Sequence, residues 1–109
     1  MTVPTYQPNE SLVWSGETNY DDKYQGALYI TNKRLLFESK VGAIRKRDAP
    51  GAEMPLKDIT SASIETGPWD WSVLVIVAHG QKHRFLVRAA SPDALIKRIG
   101  ELIAGQKRN

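Results

Sequence analysis

Residues 26–37 carry the pattern that most limits the folds open to this chain. They read Gly-Ala-Leu-Tyr-Ile-Thr-Asn-Lys-Arg-Leu-Leu-Phe, two apolar stretches of strand-forming residues separated by a short polar turn. Asparagine tolerates a positive φ angle, so we expect a primed two-residue turn at Asn32 and Lys33. The segment therefore predicts a β-hairpin with strands over 25–31 and 34–39.

Period-two stretches predict five more strands, over 12–18, 53–56, 59–66, 72–78 and 83–88. Polar loops are expected at 19–23 and 41–52. Alternation along 59–66 places Ile59 and Ile64 on opposite faces. The run Val73–Val77 is the most β-prone and most apolar in the chain.

The spacing of the apolar residues changes from strand-like to helical near the carboxyl end of the sequence. Ser91, Pro92 and Asp93 give an N-cap serine, a proline at the first helical position and an acid in the first turn. An apolar stripe then recurs at helical spacing, and Gly105 is a plausible stop. The stripe comprises Leu95, Ile96, Ile99, Leu102 and Ile103, and the opposite side carries Lys97, Arg98 and Glu101. We therefore predict seven short antiparallel strands followed by one amphipathic helix.

The sequence of residues 26–37 resembles the second and third strands of GRAM domains and other pleckstrin-homology-like domains. Together with the lead-in Ser15-Gly16-Glu17, it is also similar to the GLUE domain of an ESCRT-II subunit. The resemblance spans roughly residues 10–104, and residues 26–37 are its specific part. It implies a mainly β fold: a seven-stranded antiparallel barrel or sandwich, capped by the helix, that acts as a binding module and not an enzyme. We divide the chain into a flexible tail (1–9), the domain (10–105) and a basic tail (106–109).

Composition excludes several other classes of protein. A length of 109 residues suits one small domain, and the absence of cysteine rules out disulfides and thiolate metal sites. No apolar run approaches the roughly 20 residues that span a bilayer, and residues 1–10 lack a signal-peptide core. We therefore expect a cytoplasmic protein, or one at the cytosolic surface of a membrane.

Residues suited to catalysis or metal binding are scarce. His79 and His83 are the only histidines, they flank a predicted turn, and no third ligand accompanies them. Nucleophile-elbow, dinucleotide and Walker patterns are missing. The sequence predicts no catalytic residue, no metal and no cofactor.

Basic residues are concentrated after the first hairpin turn. Residues 32–47 hold six of them against Glu38 alone, and four, Lys40, Arg45, Lys46 and Arg47, are our lipid-binding candidates together with Lys82 and Arg84. The alternative is a solvated loop. Many phosphoinositide-binding relatives place basic residues at the end of the first strand, whereas this chain has Glu17, Asp21 and Asp22 there. These acids would repel a phosphorylated head group.

Trp69 and Trp71 are candidates for a membrane or partner anchor. If the segment is extended, alternation places both rings on one side. The alternative is that they cover the rim of the barrel.

These observations leave several functions open. The first is peripheral recognition of an anionic phospholipid surface. The second is a protein adaptor in membrane trafficking, binding ubiquitin or an ESCRT-like partner through Lys97, Arg98 and Glu101. The third is a homo-oligomer formed through an edge strand. Nucleic acid is unlikely as a partner, because no recognition motif appears.

Overall fold

The computed structural model describes residues 6–21, 24–39 and 53–107. The strands are β1 (Leu12–Tyr20), β2 (Tyr24–Thr31), β3 (Arg34–Ser39), β4 (Glu53–Pro55), β5 (Ile59–Thr66), β6 (Ser72–Ala78) and β7 (Gln81–Val87). A 3-10 helix at Leu56–Asp58 joins β4 to β5, and α1 runs over Pro92–Lys107. The predicted fold class, seven antiparallel strands and one terminal helix, is confirmed.

The strands form one sheet in the order β4-β3-β2-β1-β7-β6-β5. Every neighbouring pair is antiparallel, and β1 joins the two halves because its last residues, Thr18–Tyr20, pair with Val87–Phe85 of β7. The sheet wraps around a single core to which both halves contribute, since Leu28 and Leu35 belong to the same buried cluster as Leu74 and Phe85. Each such fully buried side chain stabilises the fold by about 1.5–3 kcal/mol.

Helix α1 covers the region between the edge strands, because it packs on β5 and on the 3-10 helix. Ser91 caps it as predicted: its Oγ accepts a hydrogen bond from the Ala94 N–H at 3.4 Å. The buried residues Leu95, Ile99 and Ile103 confirm the apolar stripe. The predicted stop at Gly105 is wrong. The last turn continues to Lys107, and the Gln106 side chain donates a hydrogen bond to the Asn32 carbonyl at 3.1 Å.

The primed turn predicted at Asn32 and Lys33 is also wrong, because Asn32 does not have a positive φ. The Thr31 hydroxyl makes this turn instead, accepting the N–H groups of Lys33 and Arg34 at 3.1 and 3.0 Å. The hairpin in which both turn residues have positive φ is β6–β7, where His79 is at 54° and Gly80 at 75°.

A β-bulge corrects the predicted faces of β5. Ile59 pairs with Ala78 and Ser61 with the adjacent Val77, so Thr60 is the extra residue. The bulge shifts the alternation by one residue, and Ile64 therefore pairs with Leu74, on the face that Ala78 also occupies. Ile59 and Ile64 share a face instead of opposing each other.

The segment before β1 is attached through Glu10, whose side chain has no solvent exposure. Its carboxylate accepts hydrogen bonds from Arg34 Nε at 2.8 Å, Arg34 Nη2 at 3.0 Å and Thr31 Oγ1 at 2.6 Å. The Gln7 N–H donates a further bond at 2.8 Å. These contacts join the start of the domain to the β2–β3 turn. The proposed division at residue 9 stays a prediction.

Candidate functional site

The most exposed large apolar side chain of the described residues lies in the β5–β6 loop. Trp69 is 94% exposed, and its backbone has a φ of 52°. Two backbone hydrogen bonds hold the loop: the Gly67 N–H donates to the Trp71 carbonyl at 3.1 Å, and the Trp71 N–H to the Pro68 carbonyl at 3.0 Å. A side chain at Gly67 would meet the Trp71 carbonyl oxygen at 2.8 Å, so this close approach requires glycine. The loop therefore presents Trp69 in a fixed turn.

This turn costs free energy that the Trp69 ring does not offset by packing. A left-handed backbone at a residue with a side chain is unfavourable by about 1–2 kcal/mol. Both tryptophan rings were predicted to lie on one side if the segment is extended. Residues 69–71 are not extended, so this condition is not met. Strained residues that are maintained in this way are often found at binding surfaces.

Trp71 occupies a different environment from Trp69. It is partly buried, and the Arg88 guanidinium lies over its ring, 4.8 Å from the centroid. The same guanidinium pairs with Asp70, with Nε 3.3 Å from Oδ2. The Arg88 guanidinium therefore contacts both the Trp71 ring and the Asp70 carboxylate. The sequence pattern did not identify Arg88 or Asp70, although a basic residue just beyond the end of β7 lies opposite the start of β6 in an antiparallel hairpin of this register.

Acidic residues border the two tryptophans. A cleft of about 330 Å³ lies beside them, and it is lined by Ile64, Glu65, Thr66, Trp69, Asp70, Trp71, Ser72, Pro92 and Asp93. Three of these side chains are carboxylates. Two of them pair with arginines, so the cleft has an excess of one negative charge, which attracts cations and repels phosphate.

A second groove, of about 340 Å³, also includes Trp71 in its lining. Its other lining residues are Glu17, Thr18, Asn19, Gln25, Gly26 and Leu86. The Asn19 Oδ1 atom is buried there and has no hydrogen-bond partner among the described residues. Trp71 therefore contributes to two grooves.

Of the two basic candidates on β7, Lys82 lies away from Trp69, whereas Arg84 contacts an acid of the Trp69 cleft. Lys82 pairs across the sheet with Val77, six residues along β6 from Trp71, which corresponds to roughly 20 Å. Arg84 pairs with Val75, and its guanidinium lies 3.6 Å from Glu65. The remaining lipid candidates, Lys40, Arg45, Lys46 and Arg47, lie outside the described residues.

Arginines in the described ranges all face carboxylates. Arg34 pairs with Glu10 and Glu53, and the exposed pairs are Arg84–Glu65, Arg88–Asp70 and Arg98–Glu101. A phosphorylated ligand would have to compete with these acids for each guanidinium. Within the described part of the chain, the geometry therefore provides no convergent arginine site for phosphate.

The predicted helix face is exposed, as its sequence pattern requires. Lys97, Arg98 and Glu101 all lie on the solvent side, and Arg98 Nη1 is 3.5 Å from the Glu101 carboxylate. Arg98 also borders an apolar groove of about 270 Å³ between β1 and α1, whose other lining residues are Val13, Trp14, Ala89, Ala90, Ser91, Ala94 and Leu95.

The two histidines do not converge on a site. His83 is buried in β7, which confirms its place in the predicted strand, and the Tyr20 hydroxyl lies 2.8 Å from its Nδ1. Burial lowers the pKa of His83 below its usual value. His79 sits in the exposed turn, 3.5 Å from Asp58. The described ranges contain no group of three or more His, Cys, Asp or Glu side chains placed to hold a metal ion.

The solved structures that share this architecture include two that align over most of this chain. The C-terminal domain of an unknown protein from Leishmania infantum aligns with a TM-score of 0.63 at 17% identity, over 89% of this chain and 87% of that one. The DH/PH domains of p115-RhoGEF align with a TM-score of 0.59 at 14% identity, over 87% of this chain and 31% of that one. This chain has a pleckstrin-homology-like fold. Identities this low establish the fold alone.

No family model matches this pleckstrin-homology-like chain. A search of curated proteins also finds no match. The GRAM and GLUE resemblances therefore stay predictions. Among the described residues, α1 is too short and too polar to cross a membrane as a helix.

Proposed function

We propose that this pleckstrin-homology-like domain is a non-catalytic adaptor that docks onto a protein partner through Trp69. The observation that carries the proposal is the 94% exposure of Trp69 in a hydrogen-bonded turn with a φ of 52°. Tryptophan is enriched among the residues that dominate protein interfaces, because a large rigid ring loses little entropy when it is buried. A fixed turn reduces the ordering cost further.

The charges around Trp69 favour a protein over an anionic membrane. Two of the three acids of the adjacent cleft pair with arginines, and Asp93 leaves the cleft with a net negative charge, which disfavours contact with an anionic bilayer. The ring could enter a bilayer only by bringing these acids close to lipid phosphates. A protein with an apolar pocket and a basic rim is complementary to both features.

Quantitative affinity enrichment from the native cell lysate tests this function. We expect a set of proteins captured by the wild type and lost with Trp69→Ser. The matched control is Leu12→Ser, because Leu12 is also an exposed large apolar side chain, at 45%, and it lies outside the β5–β6 loop. A captured protein should then bind in purified form, with affinity reduced about 30-fold or more by Trp69→Ser. Equal capture by the wild type and Trp69→Ser would contradict the proposal.

Peripheral recognition of anionic phospholipid is the second candidate. The excess of basic residues over 32–47 favours it, together with exposed Lys82. Each basic residue near an anionic surface contributes about 1 kcal/mol, so binding should be weak and sensitive to salt. Co-sedimentation with phosphatidylserine vesicles should fall with Arg45→Glu plus Arg47→Glu and should not change with Trp69→Ser. A loss of sedimentation with Trp69→Ser would instead place the ring in the bilayer and reject the protein-docking proposal.

Ubiquitin is a specific partner that the GLUE resemblance suggests. Its predicted contact face on α1, comprising Lys97, Arg98 and Glu101, is exposed. Amide shifts on titration with ubiquitin would locate the contact on α1 or on the loop. An absence of shifts would exclude ubiquitin as the partner.

A further inference from the structure

The cleft beside Trp69 and Trp71 holds one carboxylate without a counter-charge. Of its three acids, Glu65 pairs with Arg84 at 3.6 Å and Asp70 pairs with Arg88 at 3.3 Å. Asp93 is exposed and has no ion-pair partner among the described residues. The cleft therefore carries a net negative charge next to two indole rings.

Arg88 shows which chemistry this arrangement accommodates. Its guanidinium lies 4.8 Å from the centroid of the Trp71 ring and contacts the Asp70 carboxylate. A cation that lies over an indole and beside a carboxylate gains from both the ring quadrupole and the opposite charge. Within the cleft, Asp93 and the exposed Trp69 are a second carboxylate and a second indole.

We infer that the cleft receives a lysine or arginine side chain of the protein partner, with its cationic head beside Asp93 and its aliphatic stem against Trp69. This inference rests on the proposed docking function and adds the charge of the partner residue. The volume of about 330 Å³ accommodates one long side chain. Lysine and arginine both place an apolar stem on a hydrophobic surface while the charge stays at the open end.

Asp93 also has a role within the fold, which the test must separate from binding. It lies in the first turn of α1, where an acid interacts favourably with the helix dipole and stabilises the helix. Asp93→Asn keeps the shape of the side chain and removes its charge. The control is Asp58→Asn, an acid outside the cleft. Urea unfolding of both variants reports the structural contribution independently of binding.

The binding test uses three capped tripeptides as probes: Gly-Arg-Gly, Gly-Lys-Gly and Gly-norleucine-Gly. The reporters are the indole N–H signals of Trp69 and Trp71 in proton–nitrogen spectra. We expect both signals to shift with the arginine and lysine peptides at about millimolar concentration and not with norleucine. Asp93→Asn should weaken binding about threefold, Asp58→Asn should leave it unchanged, and added salt should weaken it in the wild type.

Two results would overturn the inference: equal shifts with the norleucine peptide, or unchanged binding in Asp93→Asn. Shifts caused by phosphatidylcholine vesicles and not by the peptides would also overturn it, in favour of a lipid head group. The docking function is tested separately. If Trp69→Ser abolishes partner capture while Asp93→Asn binds the arginine peptide as the wild type does, the function stands and the cation site is wrong. If Trp69→Ser leaves capture intact, the docking function itself fails.

Discussion

The Tyr20 hydroxyl lies 2.8 Å from Nδ1 of His83 inside the core, where the two side chains are 1% and 5% exposed. Tyr20 also stacks on Phe85 with ring centroids 4.7 Å apart. This hydrogen bond therefore links β1 to β7 inside the core. We predict that Tyr20→Phe destabilises the protein by about 1–3 kcal/mol, because it leaves a buried ring nitrogen unpaired. Urea unfolding measures this, and the exposed Tyr6→Phe, which should be neutral, is the control.

His83 should also make stability depend on pH. Burial lowers its pKa in the folded state, so the unfolded chain binds the proton more readily. Its contribution to stability is then constant above the ordinary value of 6.5 and is lost as pH falls from there towards the folded-state pKa. Urea midpoints from pH 8 to about 5 should decrease, and His83→Gln should remove the part of the slope that belongs to this residue. An identical slope in the variant would show that His83 is not its source.

The Glu10 carboxylate gives a second pH dependence, in the acid range. The Arg34 guanidinium, through its hydrogen bonds and with Thr31 assisting, lowers the pKa of Glu10 from 4.5 to about 2. The stability from this ionised carboxylate is complete above the ordinary value of 4.5 and is lost as pH falls towards 2. Acid unfolding of Glu10→Gln should therefore start at a higher pH than acid unfolding of the wild type.

Glu10 and Glu53 both pair with Arg34, but they should contribute differently to the free energy of unfolding. Glu10→Gln should cost about 3 kcal/mol, because it leaves Arg34, only 12% exposed, without its buried partner. Glu53→Gln is the matched control, since the Glu53 side chain is 41% exposed and its pair with Arg34 should contribute less than about 1 kcal/mol. Similar costs for the two variants would mean that Glu10 is not the main anchor.

Gly26 and Gly100 should respond oppositely to alanine. A methyl group at Gly26 would clash with the Glu38 carbonyl oxygen, which belongs to the backbone and cannot move without separating β2 from β3. We expect Gly26→Ala to destabilise by more than about 2 kcal/mol. Gly100 has nothing within 4 Å of the added carbon, so Gly100→Ala should stabilise α1 by up to about 1 kcal/mol. Thermal unfolding of the two variants compares them directly.

The strain at Trp69 can be measured without knowing the partner. Glycine adopts a φ of 52° readily and alanine does not, so Trp69→Gly should be more stable than Trp69→Ala by about 1 kcal/mol. Chemical unfolding of both variants gives the difference. Equal stability would show that the turn relaxes when the ring is removed.

The repetitive parts of this fold could be predicted because local periodicity determines them. The stripe of α1 and the alternation of β2 and β3 follow from period alone. The phase of β5 could not be predicted, because the bulge at Thr60 depends on pairing with β6. Tyr20 was placed in a polar loop, yet it is a central core residue, since β7 extends the sheet beyond the point where the sequence pattern of β1 ends.

The candidate site was predicted only in part, for the same reason. Trp69 and Trp71 were identified by type, but their different environments depend on a turn and on Arg88, which is distant in sequence. Asp93 was interpreted only as a helix-start residue, since its proximity to Trp69 requires α1 to pack beside the β5–β6 loop. Side chains that meet through tertiary packing leave no local signal.

The hydrogen bond from Gln106 to the Asn32 carbonyl has a consequence for biosynthesis. The β2–β3 turn is joined to a residue 74 positions later in the chain, and Ile99 and Ile103 complete the core only when that part of the chain has been synthesised. Contacts this distant in sequence slow folding. A nascent chain that ends before α1 has an uncovered apolar interior, so we expect it to need chaperone protection until translation has passed residue 106.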